Sequence, residues 1–230
     1  MTKLVAFDLD GTLLDTAQDF LLAVNILRQN HGIGKAKFSE VRSRVSEGAI
    51  SLAAYAMNIE SYEALEEKKI KDGAIIKDKY LESYRSELLN IYKKCSLEKT
   101  TLFEGIDSVL KTLNKQNICW GIVTNKPRFF AEEIVEATLS KYAPAFLICP
   151  EDTGKRKPSP EGLILACKKA NTLPKESIYV GDHSVDIIAG KEAGMKTIAA
   201  AYGYLPLGEN IEDWKANFII NSPLEILDFI

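Results

Sequence analysis

The chain has 230 residues, a formal net charge of −3 and a hydrophobic fraction of 46%, which is enough to build a sizeable core. The near-neutral charge gives no indication of a nucleic-acid or anionic-membrane partner. No apolar stretch reaches the roughly 18 residues that a membrane-spanning helix needs. The first predicted strand begins at residue 3, which leaves no room for a signal peptide, so we expect a cytoplasmic protein.

The first predicted strand ends in two carboxylates. Residues 3–7, Lys-Leu-Val-Ala-Phe, form the short apolar run of a buried strand, and Asp8 and Asp10 follow it before Gly11 and Thr12. Residues i and i+2 of an extended chain point to the same side, so the two carboxylates lie close together. Such closeness raises the pKa of one of them unless a divalent cation is bound. The pattern indicates a metal site, with an acidic Asp-Gly turn as the alternative.

The next part of the chain is predicted to be helical. Residues 16–95 contain no convincing strand, and aromatic and apolar residues recur at helical spacing from Ile76 to Leu88. The charged run Glu63–Lys79 is typical of a solvated helix face. We therefore predict that residues 16–95 form a small helical domain inserted into the chain.

The rest of the chain alternates between predicted helices and strands. The predicted helices cover residues 106–114, 128–140, 160–170 and 185–193. The predicted strands cover residues 118–123, 145–149, 178–180, 197–200 and 218–220. This alternation is typical of a parallel sheet with helices on both faces. The predicted fold class is thus α/β, a Rossmann-like doubly wound parallel sheet formed by residues 1–15 and 96–230.

Three further motifs follow the first in a fixed order. An apolar run ends in Thr124-Asn125, Lys157-Pro158 lies in a loop before a helix, and Val180-Gly181-Asp182 ends a strand shortly before Asp186. With Asp8-Leu9-Asp10-Gly11-Thr12, these segments resemble the four motifs of the haloacid-dehalogenase-like hydrolase superfamily, and the resemblance covers essentially the whole chain. Turn chemistry at Thr124 and a solvated basic loop at Lys157 are the plainer alternatives.

The resemblance implies a role for each catalytic residue. Asp8 is expected to be the nucleophile that forms an aspartyl-phosphate, and Asp10 the general acid that protonates the leaving oxygen and then the base for water. Thr124 and the amide of Asn125 are expected to bind the phosphoryl oxygens. Lys157 is expected to neutralise the transferring group and the nucleophile. An aspartate at position 10 favours a phosphatase or a phosphomutase over a dehalogenase.

The resemblance also implies Mg²⁺ as the cofactor. Asp8, the backbone carbonyl of Asp10 and Asp182 are the expected ligands, since Mg²⁺ prefers octahedral oxygen coordination. Asp186 is expected to support the ligands or to reach the metal through water. No role is assigned to His183.

The position of the insert indicates a branch of the superfamily. It lies between the first and second motifs, as in the branch that contains phosphoglycolate phosphatase and β-phosphoglucomutase. Residues 41–49 resemble the cap loop that contacts substrate there, which implies Arg42, Ser46 and Gly48 as specificity residues. Arg42 is expected to bind a substrate carboxylate. The alternative is that the arginines of this loop form exposed ion pairs with neighbouring glutamates.

Strings around Trp120, Cys149 and Cys167, and the string Tyr202-Gly203-Tyr204, resemble a sub-branch that hydrolyses N-acetylmuramic acid 6-phosphate. Trp120, Cys149 and Cys167 are interpreted as core residues that reflect descent. The predicted function is a Mg²⁺-dependent, phosphoglycolate-phosphatase-like phosphomonoesterase acting on a small phosphorylated metabolite. An N-acetylmuramic acid 6-phosphate phosphatase, a sugar phosphomutase and a non-catalytic relative are the alternatives. The only expected partner is a small phosphate ester, and both monomer and dimer stay open.

Overall fold

The computed structural model describes residues 2–59 and 79–230. Most of the charged run Glu63–Lys79, and Ile76 with it, lies outside the described residues. The chain divides into two compact units: Met1–Asp15 with Thr101–Ile230, here called the α/β unit, and Thr16–Thr100, here called the helical unit. Within the described residues, no helix combines the length and the apolar character needed to cross a bilayer.

The α/β unit is built on one parallel sheet. The strands are β1 Leu4–Phe7, β2 Leu14–Asp15, β3 Thr101–Leu102, β4 Cys119–Val123, β5 Leu147–Ile148, β6 Ser177–Gly181, β7 Lys196–Ala200 and β8 Phe218–Ile220. The six-stranded sheet has the order β5-β4-β1-β6-β7-β8, with all pairs parallel. Strand order reverses at β1, so the carboxyl end of β1 is the point where open α/β sheets bind ligands.

Short helices connect these strands. The helices are α1 Ala17–Asn30, α2 Phe38–Arg42, α3 Ala49–Ala56, α4 Lys79–Cys95, α5 Ile106–Lys115, α6 Arg128–Thr138, α7 Pro150–Thr153, α8 Glu161–Lys169 and α9 Ser184–Glu192. In α5, Ile106, Val109, Leu110 and Leu113 recur at helical spacing and are all buried.

The helical unit contains α1 to α4, and its described residues form no strand. The rings of Phe20 in α1 and Tyr92 in α4 stack 4.1 Å apart. Buried Asp19 accepts hydrogen bonds from the backbone N–H groups of Leu97, Lys99 and Thr100 at 2.8–3.1 Å. These bonds tie residues 97–100 to α1, which is why the unit extends to Thr100 rather than to the predicted residue 95.

The predicted α/β parallel sheet is confirmed, with differences at the ends of elements. The predicted helix 128–140 ends at Thr138, and the predicted strand 145–149 shortens to Leu147–Ile148. The antiparallel pair of β2 and β3 was not predicted. Two-residue strands are too short to show the alternation by which strands are recognised in a sequence.

Candidate active site

Asp8 and Asp10 lie at the carboxyl end of β1, in the centre of the sheet. The N–H of Asp8 donates to the carbonyl oxygen of Val180 at 2.9 Å, which continues the pairing with β6. The chain then turns back at Gly11, which has a φ of +83°. A Cβ atom on Gly11 would lie 2.1 Å from Oδ2 of Asp182, so only glycine fits this turn.

Lys157 spans two of the aspartates. Its buried Nζ lies 2.8 Å from Oδ1 of Asp8 and 2.7 Å from Oδ1 of Asp186. Burial lowers the pKa of Lys157, but the charges of Asp186 and Asp8 outweigh it and raise the pKa above its ordinary value. The side-chain amide of Asn125 holds the lysine loop, since it accepts from the N–H of Lys157 at 2.8 Å and donates to its carbonyl at 3.0 Å.

The carboxylates of Asp8, Asp182 and Asp186 form a cluster in which one oxygen of each lies within 4.8 Å of the others. Asp182 is fully buried. Its Oδ1 accepts from the hydroxyl of Thr12 at 2.8 Å, and its Oδ2 accepts from the N–H of Tyr204 at 2.9 Å. The structure therefore brings together two aspartates, Asp8 and Asp182, that the sequence predicted as metal ligands, and it places Asp186 beside them.

Burial and mutual repulsion disfavour ionisation of the carboxylates in this cluster. Burial raises the pKa of Asp8 from 3.8 to about 6 even though Lys157 lowers it, and the charge of Asp186 raises it further. Burial and the charges of Asp8 and Asp186 raise the pKa of Asp182 well above its ordinary value. A bound divalent cation would stabilise the ionised form of such carboxylates.

The donor set fits Mg²⁺. Oδ1 of Asp8 is buried and, among the described residues, has no aligned hydrogen-bond donor. Its 2.8 Å contact with Lys157 has the distance of an ion pair without the alignment of a hydrogen bond. An oxygen in this state retains its capacity to accept, and a set made only of carboxylate oxygens suits a hard cation.

Asp186 has its oxygens occupied by protein donors. Oδ1 contacts Nζ of Lys157 and lies 3.2 Å from the hydroxyl oxygen of Tyr179, while Oδ2 accepts from the N–H of His183 at 3.1 Å. These contacts fit the prediction that Asp186 supports the site. They also give His183 a structural role, because its Nδ1 accepts from the N–H of Val185 at 3.2 Å and caps α9.

Lys126 is a site residue that sequence reasoning missed. Its Nζ lies 3.0 and 3.1 Å from the two carboxylate oxygens of Asp10, and the two side chains are only 5% and 15% exposed. The hydroxyl of Thr124 accepts from the N–H of Lys126 at 3.1 Å, which shapes the turn that directs this lysine. A sequence signal existed, since Lys126 directly follows Thr124-Asn125 in a site that is rich in carboxylates.

The segment Tyr202-Gly203-Tyr204 also belongs to the site. Tyr202 donates through its hydroxyl to the carbonyl of Thr12 at 3.0 Å, and Tyr204 donates through its hydroxyl to Asp15 at 2.7 Å. A Cβ atom on Gly203 would lie 2.4 Å from the carbonyl oxygen of Gly11. The segment therefore contacts the loop that follows Asp8 and Asp10.

The three predicted specificity residues lie in the helical unit. Arg42 is the last residue of α2, Ser46 is in the following turn, and Gly48 precedes α3 with a φ of +94°. Their contact with substrate stays a prediction. The ion-pair alternative holds for the neighbouring Arg44, whose Nη1 lies 2.7 Å from Oε2 of Glu40.

The comparison with known families decides the classification. Residues 5–200 match the model of the haloacid dehalogenase-like hydrolase family. The chain belongs to this family. The resemblance read from the four motifs is thereby confirmed, and with it the prediction of a hydrolase of this superfamily.

Several relatives are similar over nearly the whole chain. An N-acetylmuramic acid 6-phosphate phosphatase from Pseudomonas putida KT2440 is 37% identical over 97% of this chain and 94% of the relative. A protein of the same name from Pseudomonas aeruginosa PAO1 is 34% identical over 99% of this chain and 94% of the relative. A phosphoglycolate phosphatase from Xanthomonas campestris pv. campestris is 30% identical over 97% of this chain and 94% of the relative. These names agree with the predicted phosphatase branch.

Solved structures confirm the fold. A crystal structure from Haemophilus somnus 129PT has a TM-score of 0.81 at 23% identity and covers 99% of this chain and 97% of that chain. A hydrolase of the same superfamily from Geobacter sulfurreducens PCA has a TM-score of 0.69 at 18% identity, with 99% of this chain and 96% of that chain covered. At these identities the likeness concerns the fold alone.

Proposed function

We propose that the protein is a Mg²⁺-dependent phosphomonoesterase that forms an aspartyl-phosphate on Asp8. The observation that carries this proposal is the position of Lys157, which contacts Asp8 within a cluster of three buried or half-buried carboxylates. A carboxylate nucleophile next to a fixed ammonium suits attack on an anionic phosphoryl group, because the ammonium neutralises the charge of both partners.

In the first step an oxygen of Asp8 forms a bond to phosphorus, and the bond from phosphorus to the ester oxygen breaks. Lys157 neutralises the phosphoryl oxygens, and the hydroxyl of Thr124 and the amide of Asn125 bind them. The leaving oxygen takes its proton from the carboxyl of Asp10. In the second step a water molecule gives a proton to Asp10 while its oxygen forms a bond to phosphorus. The bond between phosphorus and Asp8 breaks, which releases phosphate and restores the Asp8 carboxylate.

Lys126 contributes by orienting the acid and base. Its contacts with both oxygens of Asp10 limit rotation of that carboxyl group and so fix its orientation. A proton donor has to lie within hydrogen-bond distance of the leaving oxygen to assist bond cleavage. We therefore assign Lys126 to the leaving-group side of the site and Lys157 to the phosphoryl side.

Asp8, Asp182 and the backbone carbonyl of Asp10 are the proposed ligands for Mg²⁺, with Asp186 in support. When bound, the metal supplies positive charge for the phosphoryl oxygens and offsets repulsion among the carboxylates. The hydrogen bonds from Thr12 and Tyr204 fix the orientation of Asp182, as is usual for carboxylate ligands.

The proposed substrate is a small phosphate monoester that carries a carboxylate. N-acetylmuramic acid 6-phosphate is the first candidate, because the relatives at 37% and 34% identity bear that name, and phosphoglycolate is the second. Both molecules carry a carboxylate, which suits an arginine in the substrate-selecting region. We propose that the helical unit acts as a cap domain and that Arg42, Ser46 and Gly48 select the substrate there. The cytoplasmic location and the oligomeric state stay predictions.

A phosphate-release assay tests this function. Purified protein is incubated with N-acetylmuramic acid 6-phosphate, phosphoglycolate, glucose 6-phosphate and AMP, with Mg²⁺, with Ca²⁺ and with EDTA. We expect release from a carboxylate-bearing ester in Mg²⁺ and little in EDTA or Ca²⁺, because Ca²⁺ takes longer bonds and more ligands. Undiminished release in EDTA would contradict the metal dependence. Absence of release from every ester would favour a non-catalytic relative, and isomerisation without release would favour a mutase.

A further inference from the structure

Tyr179 is a buried polar residue to which the proposed reaction assigns no role. It is the third residue of β6, and its side chain is fully buried in an apolar cluster that includes Ala6, Leu163 and Cys167. A phenylalanine would fill the same space. Burying a hydroxyl group costs free energy unless it is hydrogen-bonded, so the partners of this hydroxyl are informative.

All the partners of the Tyr179 hydroxyl lie at the candidate active site. The hydroxyl oxygen lies 2.8 Å from Nζ of Lys157, 2.8 Å from the carbonyl oxygen of Val123 and 3.2 Å from Oδ1 of Asp186. A phenol has one proton to donate and accepts through its oxygen. It therefore accepts from the ammonium of Lys157 and donates to Val123.

Tyr179 is also one of the groups that contact the ammonium of Lys157. Asp8 and Asp186 form ion pairs with Nζ at 2.8 and 2.7 Å. Nζ donates hydrogen bonds to the hydroxyl of Tyr179 at 2.8 Å and to the carbonyl of Val123 at 3.2 Å. Nζ also lies 5.4 Å from the centre of the Tyr179 ring, near enough for a cation–π interaction. Tyr179 thus contacts the lysine through both its hydroxyl and its ring.

We propose that Tyr179 is a positioning residue that holds Nζ of Lys157 against Asp8, an inference that rests on the proposed role of Lys157. Lysine is a flexible chain that ends in a point charge, so its position depends on its partners. Without the hydroxyl, Nζ loses the shorter of its two hydrogen bonds and retains the one to the carbonyl of Val123 at 3.2 Å. The position of the ammonium relative to the nucleophile is then less firmly fixed, and small displacements of a catalytic group lower the rate of the chemical step.

The test compares Tyr179→Phe with Tyr142→Phe, using p-nitrophenyl phosphate and Mg²⁺. Tyr142 is a matched control because it is also buried, and its hydroxyl donates to Asp107 at 2.7 Å outside the site. We expect Tyr179→Phe to lower kcat about 10-fold, the lower end for losing a hydrogen bond to a charged group, with KM changed less than about twofold. Tyr142→Phe should retain the wild-type kcat. Rates are normalised to the folded fraction measured by circular dichroism, so loss of folded protein does not mimic the effect.

A double-mutant cycle with Lys157→Met completes the test. If Tyr179 acts through Lys157, its substitution has little further effect once the lysine is absent. A loss of the same size in both backgrounds would overturn the proposal, as would a Tyr179→Phe enzyme with the kcat of Tyr142→Phe. Either result leaves the proposed function intact if Lys157→Met is itself much slower than wild type, with its residual rate followed at high enzyme concentration. Wild-type activity of Lys157→Met would instead contradict the proposed function.

Discussion

Replacing Asp8 with asparagine should stabilise the metal-free protein while abolishing its activity. The physical reason is the raised pKa of Asp8, which burial produces despite the neighbouring Lys157. Below the ordinary value of 3.8, the folded and unfolded chains both carry the protonated carboxyl. Between 3.8 and about 6, the unfolded chain releases the proton while the folded chain retains it, so rising pH favours unfolding. Above about 6, the full cost of an ionised Asp8 is present.

The size of this effect follows from the same values. A rise in pKa from 3.8 to about 6 corresponds to about 3 kcal/mol of folding free energy. The Asp8 side chain is only 13% exposed, so screening by solvent reduces this amount little. Asparagine has nearly the same shape and no charge, so the stabilisation of Asp8→Asn should be about 3 kcal/mol at pH 8 and about 1 kcal/mol at pH 4.5.

Urea unfolding in EDTA at the two pH values measures this difference. Tryptophan fluorescence is a suitable signal because both tryptophans, Trp120 and Trp214, lie in the α/β unit. Asp107→Asn is the control, because hydrogen bonds from Lys111 and Tyr142 lower the pKa of Asp107. This substitution should therefore not raise the free energy of unfolding at pH 8. An Asp8→Asn protein no more stable than wild type at pH 8 would refute the reasoning. Added Mg²⁺ should stabilise wild type more than Asp8→Asn.

Three further predictions concern the division of roles among the site residues. Lys126→Met should lower kcat/KM roughly 10–100-fold for phosphoglycolate but less than about threefold for p-nitrophenyl phosphate, because p-nitrophenolate leaves with little help from Asp10. Equal losses on both substrates would contradict a leaving-group role. Asp182→Asn should weaken Mg²⁺ binding measured by calorimetry. Asp10→Asn should leave it nearly unchanged, since the proposed ligand at position 10 is the backbone carbonyl. Comparable losses of affinity would exclude that carbonyl as the ligand from Asp10. Arg42→Ala should lower kcat/KM roughly 10–100-fold for the carboxylate-bearing ester and hardly at all for p-nitrophenyl phosphate. An equal loss of kcat/KM on both substrates would place Arg42 in folding or general catalysis.

The sequence was sufficient for the sheet and for the residues at its strand ends. Asp8, Thr124 and Asp182 each follow an apolar run, and the carboxyl ends of parallel strands meet at one edge. Their convergence could therefore be predicted without knowing any side-chain contact. The two-residue strands β2 and β3 could not, since their pairing depends on where the chain leaves and re-enters the α/β unit.

The residues that sequence reasoning missed act through contacts between distant segments. Tyr179 has the burial of any core aromatic residue, and its contacts with Lys157 and with the end of β4 are what connect it with the site. Lys126 is one of several basic residues after predicted strands, and its pairing with Asp10 joins positions far apart in the chain. Neither periodicity nor local spacing predicts which residues of distant segments pair in this way.

The claim that Asp8 becomes phosphorylated can be tested by trapping the intermediate. Asp10→Asn should still react with p-nitrophenyl phosphate, whose leaving group needs little protonation, but should lack the base that activates water. After an acid quench, borohydride converts an aspartyl-phosphate to homoserine, and mass spectrometry of the peptic peptides identifies the residue. We predict homoserine at position 8 in Asp10→Asn and none in the Asp8→Asn/Asp10→Asn double variant. Release of p-nitrophenol with no modified residue at position 8 would contradict a covalent mechanism through Asp8.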